Sequence, residues 1–377
     1  MPKIQTNNSK HQHKRQQGFT LLELLVVIGL LGLVAMSISS LVVEDQGVKR
    51  QQATEKRWDE IRKAIIGDSS RTLNGEPMLS GYVADMGRLP RNLTELLVKD
   101  YDDDNDPLTP DFVQPAWAEF ALYDPIAGCT PNPCTPLTLG AGWRGPYLYT
   151  GGSKYFKDGW SATETADLDF DWEVTLTGTS PAHSAIAVQS LGFDNAVGGT
   201  EYKADYPEAG INTVYASDWQ LSTLPTPPTI QFTIHFNKAP LFAQTALELR
   251  IYYFQDDANV TTSPADFIKN NEQVSNVLFE LPAAALPPLP PLPPATVSTS
   301  ITYSPPTAPI LTPPPYLPMG KYAALVWCTD DPATPATEPD VIYDGDCDSA
   351  QDTDVKPYYF TMLPSATPNI KIYWNTP

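Results

Sequence analysis

Arg15-Gln-Gln-Gly-Phe-Thr-Leu-Leu-Glu-Leu-Leu-Val-Val-Ile-Gly-Leu-Leu-Gly-Leu-Val-Ala-Met36 is the stretch around which this 377-residue chain is organised. It joins a basic leader to a membrane-length apolar run that holds a single acid. From Phe19 to Val43 only Glu23 is ionisable, and about 20 apolar residues suffice for a helix to cross the hydrocarbon core of a bilayer. A carboxylate inside such a run costs a few kcal/mol unless it is paired. An ordinary secretory signal peptide is one alternative, but its apolar region runs roughly 7 to 15 residues and seldom carries an acid. This run continues to Val43. An anchor that is never processed is the other alternative.

Within the stretch, Gly18-Phe19-Thr20-Leu21-Leu22-Glu23 resembles the cleavage and assembly signature of type IV pilins and type II secretion pseudopilins. The resemblance implies cleavage after Gly18 by a prepilin peptidase, N-methylation of Phe19 and use of Glu23 in filament assembly. Cleavage would create a cationic α-amine at Phe19, four residues before Glu23 on the same helix. Each charge would then pair with its opposite on a neighbouring subunit, which lowers the cost of burying both.

With 42 % hydrophobic and 10 % aromatic residues the chain is rich enough to fold, and long enough for two domains beyond its anchor. Net charge is −20, and loss of Lys3, Lys10, Lys14 and Arg15 with the leader takes the processed form to about −24, which argues against nucleic acid as a partner. By the positive-inside rule those leader charges stay cytoplasmic and the rest of the chain faces outward. The expected location is a bacterial inner membrane, crossed once, with the C-terminal domains in the periplasm or on an extracellular filament. That compartment is oxidising. The simplest pairing of the four cysteines is two local disulfides, Cys129 with Cys134 and Cys328 with Cys347. Zinc is the competing reading of Cys129-x4-Cys134, but no second pair or nearby histidines complete such a site.

After the apolar run, Trp58, Ile61, Ile65 and Ile66 recur at helical spacing, so one helix over residues 19–66 is expected, a rod of roughly 70 Å with an amphipathic second half. Gly81-Tyr-Val-Ala-Asp-Met-Gly-Arg-Leu-Pro90 then resembles the Tyr-x-x-Asp-x-Gly-Arg-x-Pro element of the major pseudopilins. Gly142-Trp-Arg-Gly-Pro-Tyr-Leu148 and Asp158-Gly-Trp160 are similar to that family's Trp-x-Gly-Pro-Tyr and Asp-Gly-Trp turns. Asp100 to Asp106 and the Cys129 to Cys134 loop read as insertions. Asp167 to Thr177 and Ala185 to Leu191 read as antiparallel strands of the head.

Beyond Trp219 the resemblance stops. Leu224-Pro-Thr-Pro-Pro228 reads as a stiff linker. About seven strands follow, starting with Ile230-Gln-Phe-Thr-Ile-His-Phe236 and Leu247-Glu-Leu-Arg-Ile-Tyr-Tyr-Phe254, which suggests an immunoglobulin-like sandwich. Leu281 to Pro294 reads as a polyproline II loop between strands. The expected class is therefore α+β: leader 1–18, anchor and assembly helix 19–66, a pseudopilin-like head with a small antiparallel sheet over 67–223, and an all-β domain over 229–377.

Ser190-Leu-Gly-Phe-Asp-Asn-Ala-Val-Gly-Gly199 is similar to the loop that holds calcium in the major pseudopilins. Carried over by motif, the ligands are the Asp194 and Asp205 carboxylates and the Leu191 and Ala196 carbonyls, with Glu201 able to replace or join Asp205. Calcium takes six to eight oxygens, which carboxylates and backbone carbonyls of a glycine-rich loop supply. Asp344-Gly-Asp-Cys-Asp348 resembles the start of an EF-hand loop but lacks its glycine and its closing glutamate, and reads as a solvated acidic loop, as does Asp102 to Asp106.

Enzymatic chemistry finds little support. After leader removal only His183 and His235 remain, and no nucleophile elbow, HExxH or P-loop is present. The expected role is structural: a subunit of a pseudopilus or pilus-like filament, low in copy or at the tip. Its expected partners are other subunits, the prepilin peptidase, the inner membrane, and secreted substrates or surface receptors. The alternative is a minor pilin or adhesin whose C-terminal domain binds surfaces or protein partners.

Overall fold

The computed structural model describes residues 20–68, 70–73, 76–77, 79–101, 112–122, 137–151, 156–160, 169, 172–178, 183–222, 229–237, 246–256, 273–274, 294–302, 316–329, 341–343, 355–364 and 369–375. The architecture is α+β. Two compact units divide the chain, Met1–Gln52 and Ala53–Pro377, and helix α1 (Leu21–Ile66) contributes to both.

In the first unit, α1 begins where its sequence says it should. Thr20 is the N-cap: the Glu23 amide donates to Thr20 Oγ1 at 3.3 Å and the Leu24 amide to the Thr20 carbonyl at 3.1 Å. Thr20-x-x-Glu23 is also the capping-box pattern, and a cap of this kind stabilises a helix start by about 1 kcal/mol. From Leu21 to Val34 every residue except Glu23 is apolar, on all faces of the helix, and the whole stretch is exposed. A helix apolar all round is stable only in lipid or against other protein. Among the described residues no helix is long and apolar enough to cross a membrane. The side chains of residues 37–45, which complete the apolar run to Val43, lie outside the described set.

In the second unit, the amphipathic end of α1 supplies one wall of a core. Ile61 and Ile65 are fully buried against Tyr82, Val83, Met86, Leu96, Ile186 and Val188, each such aliphatic side chain contributing about 1.5–3 kcal/mol. Polar bonds fix its rotation: Trp58 Nε1 donates to the Val188 carbonyl at 2.9 Å, and Arg62 Nε to the Thr213 carbonyl at 3.2 Å. Short pairings follow: Thr72–Leu73 (β1) with Glu76–Pro77 (β2), Asp100–Tyr101 (β3) with Phe112–Val113 (β4), and Ala118–Ala121 (β5) with Thr138–Ala141 (β6). A five-residue helix α2 (Tyr82–Met86) and a 3-10 turn at Thr94–Leu96 lie between β2 and β3. The head's two longer strands, Trp172–Thr177 (β7) and Ala185–Ser190 (β8), pair antiparallel with Val174 opposite Val188.

Helix α3 (Ala216–Trp219) leads into β9 (Gln220–Ser222). The C-terminal strands then form two sheets. Thr229–Phe236 (β10) is central in one, paired antiparallel with Ala295–Thr302 (β13) and parallel with Asn369–Trp374 (β18). Ala246–Tyr253 (β11) and Gly320–Thr329 (β15) form the spine of the other, joined by Gln273–Val274 (β12), Val341–Ile342 (β16) and Tyr358–Met362 (β17). Alternation decides which side chains face inward: Ile230, Phe232, Ile234 and Phe236 of β10 share one core with Leu247, Leu249 and Ile251 of β11. Phe232 meets Phe360 at 5.9 Å and Phe236 meets Tyr343 at 6.1 Å across the two sheets. Both strands named from the sequence, Ile230 to Phe236 and Leu247 to Phe254, are present over most of their length as β10 and β11.

Head and C-terminal strands are interleaved. Tyr316–Pro318 (β14) pairs with β9 of the head, and Tyr316 and Met319 join the head's core, while Phe120 and Leu139 of the β5–β6 hairpin join the core of the two sheets.

Candidate functional site

Three places carry the functional reading. The first is the helix start. Glu23 is exposed in the first turn of α1, where the positive end of the helix dipole favours a carboxylate. Gly18 and Phe19 lie outside the described residues.

The second is the loop from Leu191 to Asp205. Leu191 is half-buried, and Asp194 and Ala196 are exposed around a turn in which Asn195 and Glu201 adopt positive φ of 52° and 56°. The Phe193 amide donates to the Tyr202 carbonyl at 2.9 Å, which closes the loop. Asp205 Oδ2 accepts from the Gly198 amide at 2.8 Å, while Asp205 Oδ1 is buried with no hydrogen-bond partner. Among the described residues the ion-pair neighbour of Asp194 is Lys203, whose Nζ lies 4.0 Å away. An orphaned buried carboxylate oxygen is costly, and a hard cation is the kind of group that would satisfy it. The donor set therefore suits calcium in kind. Among the described residues no group of three or more His, Cys, Asp or Glu side chains is gathered for a metal, so such a site would rest on two carboxylates and backbone carbonyls.

The third was not foreseen from the sequence as a site. The segments singled out as motifs converge on a buried ionic cluster. Arg88, at 2 % exposure, donates from Nη1 to Glu95 Oε2 at 2.8 Å and lies 2.7 Å from Asp256 Oδ2 through Nη2. Glu95 also accepts from the Tyr82 hydroxyl at 2.7 Å and Arg91 Nε at 2.6 Å. Two cations thus meet two carboxylates. Burial would raise the Glu95 carboxyl, but the Arg88 and Arg91 charges hold it at about 2. Beside the cluster, Asp85 accepts from Arg144 and from the Tyr147 hydroxyl, and Trp143 Nε1 donates to the Glu95 carbonyl at 3.0 Å. The Gly-Arg-x-Pro and Trp-x-Gly-Pro-Tyr segments are therefore packed on one another. In the third motif segment Asp158 accepts from the Ser190 hydroxyl and the Trp160 amide. Asp256, just beyond the end of β11, carried no signal in its local sequence.

Cys328 is buried and disulfide-bonded. Cys129, Cys134 and Cys347 lie outside the described residues, as do Asp102 to Asp106, Asp344 to Asp354 and the polyproline stretch up to residue 293. His235 stacks on Tyr373 with centroids 4.9 Å apart and bonds Thr296 on the outer side of β10.

The described fold is α+β, and its long first helix begins in an apolar run that holds a single acid. Residues 13–42 match the prokaryotic N-terminal methylation motif, the type IV pilin-like prepilin signal, which supports the pilin and pseudopilin family and implies a membrane-anchored precursor, processing by a prepilin peptidase and assembly with other pilin subunits. No curated protein and no solved structure matches the chain.

Proposed function

We propose that this chain is a structural subunit of a type II secretion pseudopilus or a type IV pilus-like filament, and works as structure rather than as catalyst. The methylation motif over residues 13–42 carries the reading. In the proposed cycle the apolar helix holds the precursor in the inner membrane as a single span, the peptidase removes residues 1–18, and Glu23 pairs with the Phe19 amine of a neighbour in the filament. The motif segments around Arg88 favour the major-pseudopilin branch of the family. The Leu191 to Asp205 loop would hold calcium through Asp194, Asp205 and the Leu191 and Ala196 carbonyls. The cation supplies positive charge that draws the two carboxylates together, and the orphaned Asp205 oxygen supports its placement there.

The β10–β18 region is read as an immunoglobulin-like sandwich, supported by two sheets sharing one core, with Cys328 paired to Cys347. A domain of this size on every subunit would crowd a helical filament, which favours a low-copy or tip position. A minor pilin or adhesin is the second reading, favoured by that same extra domain. Mass spectrometry of the mature protein tests the proposal. A methylated Phe19 N-terminus is expected, and an N-terminus near Met36 would establish an ordinary signal peptide instead.

A further inference from the structure

Where the β5–β6 hairpin of the head meets strands β15 and β17, the surface opens into a cleft of about 470 Å³ lined by Trp117, Glu119, Thr138, Lys321, Tyr359 and Thr361 among others. This volume lies in the range of small-ligand sites, which favour the junctions between structural units. We propose that the cleft binds a neutral saccharide.

Four observations carry the assignment. First, the walls combine aromatic rings with an acid, an amine and hydroxyls. Sugar rings present apolar C–H groups to the negative face of an aromatic ring and hydroxyls to polar neighbours, so they need both kinds of surface at once. Tyr359 is 54 % exposed and Trp117 38 %.

Second, the rings are fixed before any ligand arrives. The Tyr359 hydroxyl donates to the Thr138 carbonyl at 2.7 Å, and the Arg144 guanidinium stacks over Trp117 at 4.3 Å while it holds Asp85. Gly140 lies so close to Trp117 that a Cβ there would meet the indole Cζ2 at 2.8 Å. A preorganised site loses less entropy on binding.

Third, the two charged groups are available. Neither Glu119 nor Lys321 makes an ion pair among the described residues; Glu119 accepts only from Thr138 Oγ1 at 2.9 Å, and Lys321 Nζ lies 5.4 Å from the Trp117 ring centre. Fourth, one acid and one ammonium leave the lining near electroneutral in a chain of net charge −20, which fits a neutral ligand better than a strongly cationic or anionic one.

The test is saturation-transfer NMR on the full chain in detergent micelles, with cellotetraose, chitotetraose, maltotetraose and mannotetraose as neutral probes and tetralysine and tetraglutamate peptides as charged ones. Transfer to at least one tetrasaccharide is expected, lost in Tyr359→Ala and weakened at least tenfold in Glu119→Gln. Tyr149→Ala, at an exposed tyrosine outside this cleft, should retain it. Melting curves matching the unaltered chain certify that each variant is folded, and Glu119→Gln, which preserves side-chain shape, keeps the test valid where Tyr359→Ala does not fold. No transfer from any tetrasaccharide overturns the proposal. Undiminished transfer in Glu119→Gln, or transfer to a charged peptide in place of the sugars, overturns it equally.

Discussion

Arg88 and Asp256 stand 168 residues apart in the chain, and their side chains meet 2.7 Å apart with almost no exposure to solvent. Together with Glu95 this contact ties the Gly-Arg-x-Pro turn of the head to the end of β11. The Asp256 amide donates to the Met86 carbonyl at 2.9 Å, so backbone as well as charge crosses the junction.

Removing Arg88 should be far costlier than removing a surface cation. Arg88→Met leaves Glu95 and Asp256 buried without their shared cation, and breaking a buried pair costs about 3–5 kcal/mol. Lys56→Met, which breaks the exposed Lys56–Glu60 pair at 3.7 Å, should cost between about 0 and 1 kcal/mol. Urea unfolding of both variants measures the difference, and equal midpoints would mean that the cluster contributes no more than a surface pair.

The same cluster predicts an acid limb. The folded-state value of Glu95 is lowered to about 2 from 4.5, so its stabilisation is complete above about pH 4.5 and is lost as pH falls through about 2. Melting temperature recorded between pH 6 and pH 2 should fall below 4.5. Glu95→Gln should lower the plateau and flatten that limb; an unchanged limb in the variant would assign the acid sensitivity to other groups.

Gly87 lets the two parts approach. Its φ is 69°, and an added Cβ would meet the Phe254 carbonyl oxygen at 2.4 Å. The left-handed backbone alone costs a residue with a side chain on the order of 1–3 kcal/mol, and the clash with backbone adds to that. Gly87→Ala should therefore lower the melting temperature and speed proteolysis near β11. Wild-type resistance would show that the turn yields without separating from β11.

Glu23→Leu separates insertion from assembly. An apolar residue removes the cost of a carboxylate in the membrane, so the variant should fractionate with membranes as well as the unaltered chain does. Filament incorporation, followed by immunoblot of sheared filaments, should fall severely. Normal incorporation would remove the pairing of Glu23 with a neighbour's amine.

Calcium should stabilise the second unit. A ligand that binds only the folded state contributes RT ln(1 + [L]/Kd), about 2.7 kcal/mol at a hundredfold excess over Kd. The full chain in detergent should melt at a higher temperature with calcium than with chelator, and Asp194→Ala should abolish most of that shift. Asp344→Ala is the control. If it removes the shift and Asp194→Ala does not, the cation sits in the other acidic loop.

Local patterns were legible in the chain by itself. The helical spacing of Trp58, Ile61 and Ile65 announced the long first helix, and the alternation from Ile230 to Phe236 a strand with one buried face, because each of these is decided by residues within a few positions of one another. Which distant segments would meet was not legible. Asp256 has nothing in its neighbourhood to mark it as a partner of Arg88, and nothing near Thr138 announces that Tyr359, 221 residues on, will bond its carbonyl. Such pairs are chosen by how whole sheets and hairpins exclude water from a shared core, and by the charge that must then be neutralised inside it. That selection depends on the packing of the entire unit, so only the tertiary structure decided the ionic cluster and the aromatic cleft.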